Sequence, residues 1–207
     1  SAARAAGYLT PVLHWAKRRD LVIGDFNLEK PLQNAPRQKV LTEVELAALL
    51  PTFKSHHGVC AKFMLLTGAR ITETTAATWS QIDLEAKTWT IPPENLKDTR
   101  ALQARRQKPK QALVIPLSRQ AIDLLLEARR AEVARRQLDG LTEEIRQRDL
   151  LFVGPRGAKL GNWDRWLKGT TVKTGIAGWS AHALRRTTAT LAGDLGAPPH
   201  VVSVVLG

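Results

Sequence analysis

His182, Arg185 and Arg186 stand within five residues of one another in "SAHALRRTTATLAGDLGAPPHVVSVVLG", residues 180–207. If that stretch is helical, separations of three and four place both arginines on the face of His182. Periodicity alone does not choose between Arg185 and Arg186. Far upstream, "LLTGARITE" sets Arg70 just past Gly68, which ends one helix, and just before another. At such a junction a charged side chain can reach into a cleft instead of lying on a regular helix face. Glu73 follows one turn on. Lys97 comes directly after a strand-like segment, at the mouth of a long basic stretch. A proton-transferring imidazole, an ammonium and several guanidiniums are the groups that bind and activate an anion. Each has a plainer reading too: a solvated basic helix end for His182 to Arg186, and a surface ion pair for Arg70 and Glu73.

The whole chain leans the same way. Its 207 residues carry 31 Lys+Arg against 19 Asp+Glu, a formal net charge of +12, and the sequence pI is near 10.4. Such a surplus points to a polyanionic partner. Nucleic acid fits better than a membrane surface, because no segment reads as a basic helix with a bulky apolar face. No long apolar run or leader pattern is present, so a soluble protein is expected. The one cysteine, Cys60, lies among apolar neighbours in "GVCAKFMLLTG", which excludes an internal disulfide and suits a reducing compartment. His56 and His57 are adjacent, with no cysteine or carboxylate at zinc spacing, so no metal is expected.

The elements that must position these residues can be read from pattern. "YLTPVLHWAKRRDLVIG" carries Leu9, Val12, Leu13 and Trp15 at near-helical spacing, one helix that is too little to fold alone. "KPLQNAPRQK", residues 30–39, has two prolines and no periodicity and reads as a linker. Thr42 and Glu45 form a capping box for a helix through "EVELAALL". A buried helix from Val59 to Thr67 ends at Gly68, and "ITETTAATW" gives another short one. "KTWTI" (87–91) and "ALVI" (112–115) are strand-like, with "LKDTRALQARRQKPKQ" as an extended hairpin loop between them. Ser118 caps a helix whose apolar stripe is Ile122, Leu125, Leu126 and Val133. "DLLFVG" reads as a short strand and "WDRWLKGTTV" as a helix, with Trp163 and Trp166 as core residues. The terminal segment holds two helices broken at "GDLGAPP", the last opened by Pro198 and Pro199. The fold class is therefore mainly α, with a small antiparallel sheet or hairpin.

In that order, "LLTGARITETTAATWSQID", "WTIPPENLK", "VIPLS" and the 180–207 stretch resemble the catalytic domain of tyrosine recombinases of the phage-integrase type. The resemblance spans about Leu41 to Gly207. It implies the DNA breaking-rejoining fold over residues 40–207, short of its C-terminal end. Residues 1–29 look like the last helix of the family's DNA-clamping domain, with 30–39 as the linker. That flavour is commonest among integrases of prophages and genomic islands. By position, Arg70 matches the family's first arginine and Lys97 its hairpin lysine. His182 and Arg185 match the H-x-x-R pair, which takes Arg185 over Arg186, and Glu73 matches the acidic residue that supports the first arginine. Ala183 departs from the pattern where an acidic residue is common. The long hairpin leaves Lys108 and Lys110 as rivals to Lys97. Arg100, Arg105, Arg106, Lys108, Lys110 and Arg186 are expected to contact DNA.

The chemistry so implied is transesterification without ATP, metal or another cofactor. A tyrosine oxygen attacks a phosphodiester, forms a 3′-phosphotyrosyl bond and releases a 5′-hydroxyl. Arg70 and Arg185 would hold the non-bridging oxygens. Lys97 would protonate the leaving oxygen, and His182 would take the tyrosine proton or hold the phosphate. The family's tyrosine follows the "LG" at 206–207 by a helix, and the only tyrosine in these residues is Tyr8. The active site is therefore expected to be incomplete within residues 1–207. The implied partners are double-stranded DNA attachment sites, other protomers in a tetrameric synapse and a recombination directionality factor, in the bacterial cytoplasm at the nucleoid. The rival reading is a non-catalytic DNA-binding protein or regulator, since the terminal helix–Gly–helix resembles a helix-turn-helix. The set Arg70, Lys97, His182 and Arg185 favours the enzyme.

Overall fold

The computed structural model describes residues 2–21, 39–96, 111–141, 144–154 and 157–206. The chain divides into two compact units, Ser1–Gln38 and Lys39–Gly207. In the first, helix α1 runs Ala2–Lys17 with Pro11 inside it. Its Tyr8, Leu9, Val12 and Trp15 are exposed, and the Arg19 guanidinium lies 4.3 Å from the Trp15 ring centroid. The residues expected to form the linker lie outside the described residues, apart from Lys39.

The second unit opens with α2, Glu43–Leu49, held by the expected capping box: Thr42 Oγ1 accepts the Glu45 N–H, and Glu45 accepts the Thr42 N–H. Ser55 caps α3, His56–Thr67. Gly58 in its first turn lets the helix approach Phe53, because a Cβ there would stand 2.4 Å from the Phe53 Cα. Gly68 ends α3 in the left-handed region, φ 67°, where glycine carries no steric penalty. After Ala69 and Arg70 comes α4, Ile71–Ala76. The antiparallel sheet has three strands in the order β1 (Ile82–Asp83), β2 (Thr88–Ile91), β3 (Leu113–Pro116), with Trp89 opposite Ile115. Alternation is clean: Trp89, Ile91 and Ile115 are buried, while Thr90 and Val114 face out. Then follow α5 (Arg119–Leu138), α6 (Trp163–Thr174), α7 (Ala181–Asp194) and α8 (Pro199–Leu206).

Helix α3 is the axis of the core. Cys60, Ala61, Phe63 and Met64 are buried, and the helix packs against α5 and α7. Phe63 meets Trp89 of the sheet and Phe152, each with ring centroids 5.3 Å apart. Burial pushes the Cys60 thiol up, so it stays an inert core residue. Among the described residues, no helix is long and apolar enough to cross a membrane.

Two sequence expectations are corrected. "DLLFVG" is not a strand: it makes only isolated bridges, Thr78 with Leu150 and Val153 with Lys159, while Leu151 and Phe152 are buried by core packing. The stripe of α5 also ends early. Ala121 and Leu125 are buried and Ile122 and Ala128 pack on the core, but Val133 is exposed.

Beyond Ala128, polar contacts hold α5. Glu132 accepts from Arg135 Nε at 2.7 Å and from Arg136 Nε at 2.9 Å, and Arg136 Nη2 reaches Asp149 at 2.8 Å. The Arg135 guanidinium, with Arg136, outweighs burial and holds Glu132 below the ordinary carboxylate range. A carboxylate with a depressed folded-state pKa stabilises the fold above its unfolded pKa, and that contribution is lost as pH falls through the folded value. The stability difference between wild type and Glu132→Gln should therefore be present at pH 7 and shrink well below the ordinary glutamate value of 4.5. Urea unfolding at pH 7 and at about pH 3 checks this. A difference independent of pH would mean that the network contributes packing alone.

Candidate active site

Arg70 takes up the position just before α4 that its sequence context requires. Its backbone is extended, its N–H donates to Glu73 Oε2 at 2.8 Å, and its Nη1 donates to Glu73 Oε1 at 2.8 Å. Glu73 is 1% exposed, whereas the Arg70 side chain keeps 27% of its surface. One carboxylate thus caps the helix and orients the guanidinium of a side chain that stays partly exposed. This is more than the surface ion pair that the sequence also allowed.

Arg185 arrives from the other side. It lies in the second turn of α7, is 8% exposed, and its Nη1 donates to the Gly68 carbonyl at 2.7 Å. That oxygen belongs to the residue that ends α3, two positions before Arg70. Burial, and then the charge of Arg70, pull the Arg185 pKa down to about 10, with Glu73 acting the opposite way. At neutral pH the Arg185 guanidinium remains charged. Two cations share one carboxylate, so the site has a net positive charge that an oxyanion would relieve. Arg186 is only half-buried. The geometry therefore separates the two arginines that helical spacing left equivalent.

His182 is exposed on the first turn of α7, whose N-terminus Ser180 caps by accepting the Ala183 N–H. The Ala183 that departs from the family pattern is buried in the core. Arg70, Glu73 and Arg185 are brought together around the α3–α4 junction, with His182 one turn before Arg185. Lys97, Arg100, Arg105, Arg106, Lys108 and Lys110 lie outside the described residues. Among the described residues, no group of three or more His, Cys, Asp or Glu could hold a metal.

Sequence reasoning missed what docks α7. Thr188 Oγ1 contacts the Leu65 carbonyl of α3 at 2.7 Å and the Leu184 carbonyl at 3.0 Å. Thr187 Oγ1 accepts the Leu41 N–H at 2.9 Å. The signal was present in "RRTTAT": β-branched hydroxyl residues inside a helix are poor helix formers and call for a partner. Trp163 and Trp166 join an aromatic group with His57, Phe53 and Trp179, as core-side residues rather than open stacking faces. His57 Nε2 is 2.5 Å from the Gly161 carbonyl, which occupies it structurally.

Comparison with known proteins agrees with this architecture. The Tn1549 transposon integrase, residues 82–397, in complex with circular intermediate DNA, is 17% identical at a TM-score of 0.65, over 99% of this chain and 69% of that one. The XerH site-specific recombinase bound to difH substrate is 21% identical at 0.61, over 100% of this chain and 59% of that one. A lambda integrase dimer, residues 75–356, bound to a COC′ core site is 15% identical at 0.62, over 96% and 68%. At these identities the likeness is one of fold. No curated protein matches. The sequence profile of the phage integrase family matches residues 39–207, and the chain belongs to that family.

Proposed function

We propose that the protein is a site-specific tyrosine recombinase, an integrase that cuts and rejoins DNA through a 3′-phosphotyrosyl intermediate. The observation that carries this reading is the pair Arg70 and Arg185, two guanidiniums from distant parts of the chain converging on one junction beside a buried carboxylate. A DNA-binding surface has no use for a charge as buried as Arg185, whereas a phosphoryl-transfer site needs its cations fixed before charge develops. In this reading Arg70 and Arg185 stabilise the non-bridging oxygens, and Glu73 holds Arg70. His182 takes the tyrosine proton or holds the phosphate, and Lys97 protonates the 5′-oxygen. The phosphotyrosyl ester conserves the energy of the broken bond, so rejoining needs no external energy source.

Residues 1–29 would close the clamp on DNA as the last helix of a preceding DNA-binding domain, joined through 30–39. The substrates would be double-stranded attachment sites of a prophage or genomic island, synapsed by four protomers and steered by a directionality factor. Tyr8, exposed on α1, is not the nucleophile in this reading. Residues 1–207 alone would therefore form no covalent adduct with a suicide DNA substrate. An adduct mapped to any of these residues by mass spectrometry would place the nucleophile elsewhere than proposed.

Binding of residues 1–207 to duplex DNA should be weak, nearly sequence-blind and steeply salt-dependent. Each phosphate contact releases counterions, so several contacts cost about three orders of magnitude in affinity between ~50 and ~200 mM salt. Anisotropy titrations at several salt concentrations check it. A flat log–log plot would remove nucleic acid as the partner.

A further inference from the structure

Thr187 is fully buried on α7, two residues beyond Arg185, and its hydroxyl makes two bonds of opposite sense. The hydroxyl proton goes to the Ala183 carbonyl of its own helix, at 2.9 Å. That leaves a lone pair to accept the Leu41 N–H, also at 2.9 Å, from a residue 146 positions earlier in the chain. Leu41 is itself 3% exposed, and its N–H has no water to turn to. Leu41 precedes the Thr42 that caps α2, and Lys39 beside it is paired with Glu45 of α2. The start of the catalytic unit is thus anchored on one side to α2 and on the other to α7.

The contacts of α7 with α3 come from different positions: Arg185 to the Gly68 carbonyl and Thr188 to the Leu65 carbonyl. Successive helical residues advance by about 100°, so Thr187 and Arg185 point about 160° apart, to nearly opposite sides of α7. Contacts on well-separated faces fix the roll of a helix about its axis; contacts on one face do not. We propose that Thr187 is a positioning residue, which locks the roll of α7 against the extended entry segment at Leu41 and so holds Arg185 against the Arg70 junction. The proposal deepens the recombinase reading and rests on it for its catalytic consequence. The positioning itself rests on the hydrogen bonds alone.

The test compares Thr187→Val, which keeps the shape and removes the hydroxyl, with Thr187→Ser, which keeps the hydroxyl. Thr170→Val is the control, because Thr170 is also buried but its hydroxyl donates within α6, to the Trp166 carbonyl, while its backbone carbonyl accepts from the Thr174 hydroxyl. In ¹⁵N-labelled residues 1–207, hydrogen exchange of the Leu41 amide and of the Arg185 guanidinium should accelerate by about tenfold or more in Thr187→Val, stay near wild type in Thr187→Ser, and be unchanged in Thr170→Val. Arg185 exchange at the wild-type rate in a folded Thr187→Val would overturn the proposal. If Thr187→Val does not fold, Thr187→Ala and Thr187→Ser decide: near-wild-type Arg185 exchange in Ala as well as Ser overturns it.

A second readout is single-turnover formation of the protein–DNA adduct by the intact recombinase. Thr187→Val should lower the rate by about tenfold at unchanged DNA affinity, since affinity is set by the basic surface, and Thr187→Ser should restore it. A wild-type protein that forms no adduct would sink the recombinase reading, while the exchange measurement still decides the role of Thr187. A wild-type protein that does form adduct, with Thr187→Val as fast as Thr187→Ser, would overturn the catalytic part of the inference.

Discussion

Glu73→Ala is expected to destabilise the protein by about 2–4 kcal/mol. The carboxylate is 1% exposed and accepts both the Arg70 backbone N–H and its Nη1. Removing it leaves the first turn of α4 without its cap and the Arg70 guanidinium without its orienting partner. Arg70 keeps 27% of its side-chain surface, so its charge can turn to water; this keeps the estimate below that for a fully buried pair. Arg185 cannot turn to water. Its pKa already lies near 10 because burial and Arg70 disfavour its charge, and Glu73 is the group that opposes them. Alanine at 73 therefore strips the compensation from two cations at once. Glu73→Gln should cost less, because an amide oxygen still accepts the Arg70 N–H while its NH₂ faces the guanidinium. Urea unfolding of the three proteins checks the order. A loss below about 1 kcal/mol for Glu73→Ala would show that Glu73 does not hold the junction.

How far the fold could be read from sequence depends on how local its causes are. The capping box at Thr42 and Glu45, the Ser118 cap and the helix stop at Gly68 each lie within a few residues, and each forms as its pattern indicates. Strand β1 has two residues and no period to read, so it escaped. "DLLFVG" is apolar because Leu151 and Phe152 fill the core, and a short apolar run does not reveal whether ladder bonds accompany its burial. Val133 continues the period of the α5 stripe past the edge of the core it would pack on. The candidate site divides likewise. Arg70 and Glu73 are three residues apart, and their pairing is a local matter. Arg185 reaches a carbonyl 117 residues away and Thr187 an amide 146 residues away. The packing of α7 on α3 buries Arg185 and leaves Arg186 half-buried, a difference that no helical spacing encodes.

The sharpest separation of roles is expected from a DNA substrate whose scissile bridging oxygen is replaced by sulfur. If Lys97 is the general acid of the intact recombinase, its task is to protonate the departing 5′-oxygen. A thiol is several pKa units more acidic than an alkyl alcohol and leaves as the thiolate without help. Lys97→Ala should then cleave the normal substrate about 10²–10⁴-fold more slowly than wild type, the usual range for loss of a general acid, and cleave the sulfur-bridged one nearly as well. Arg70→Ala and Arg185→Ala should lose about 10²–10³-fold on both substrates, because in the proposed mechanism the charge they stabilise sits on the non-bridging oxygens, which the sulfur leaves untouched. For Arg185 the loss also includes the contact with Gly68, so Arg185→Lys should not rescue: an ammonium on a shorter arm supplies one charge but not the fork that reaches the carbonyl and, in the proposed mechanism, a phosphate. Lys108→Ala and Lys110→Ala should weaken DNA binding alone, as residues of a basic stretch of sequence. Single-turnover cleavage of paired oxygen- and sulfur-bridged substrates measures all of these together. Rescue confined to Lys97→Ala supports the assignment. Rescue in Lys108→Ala or Lys110→Ala would move the general acid to that residue, and rescue of Arg185→Ala would mean that Arg185, not a lysine, serves the leaving oxygen.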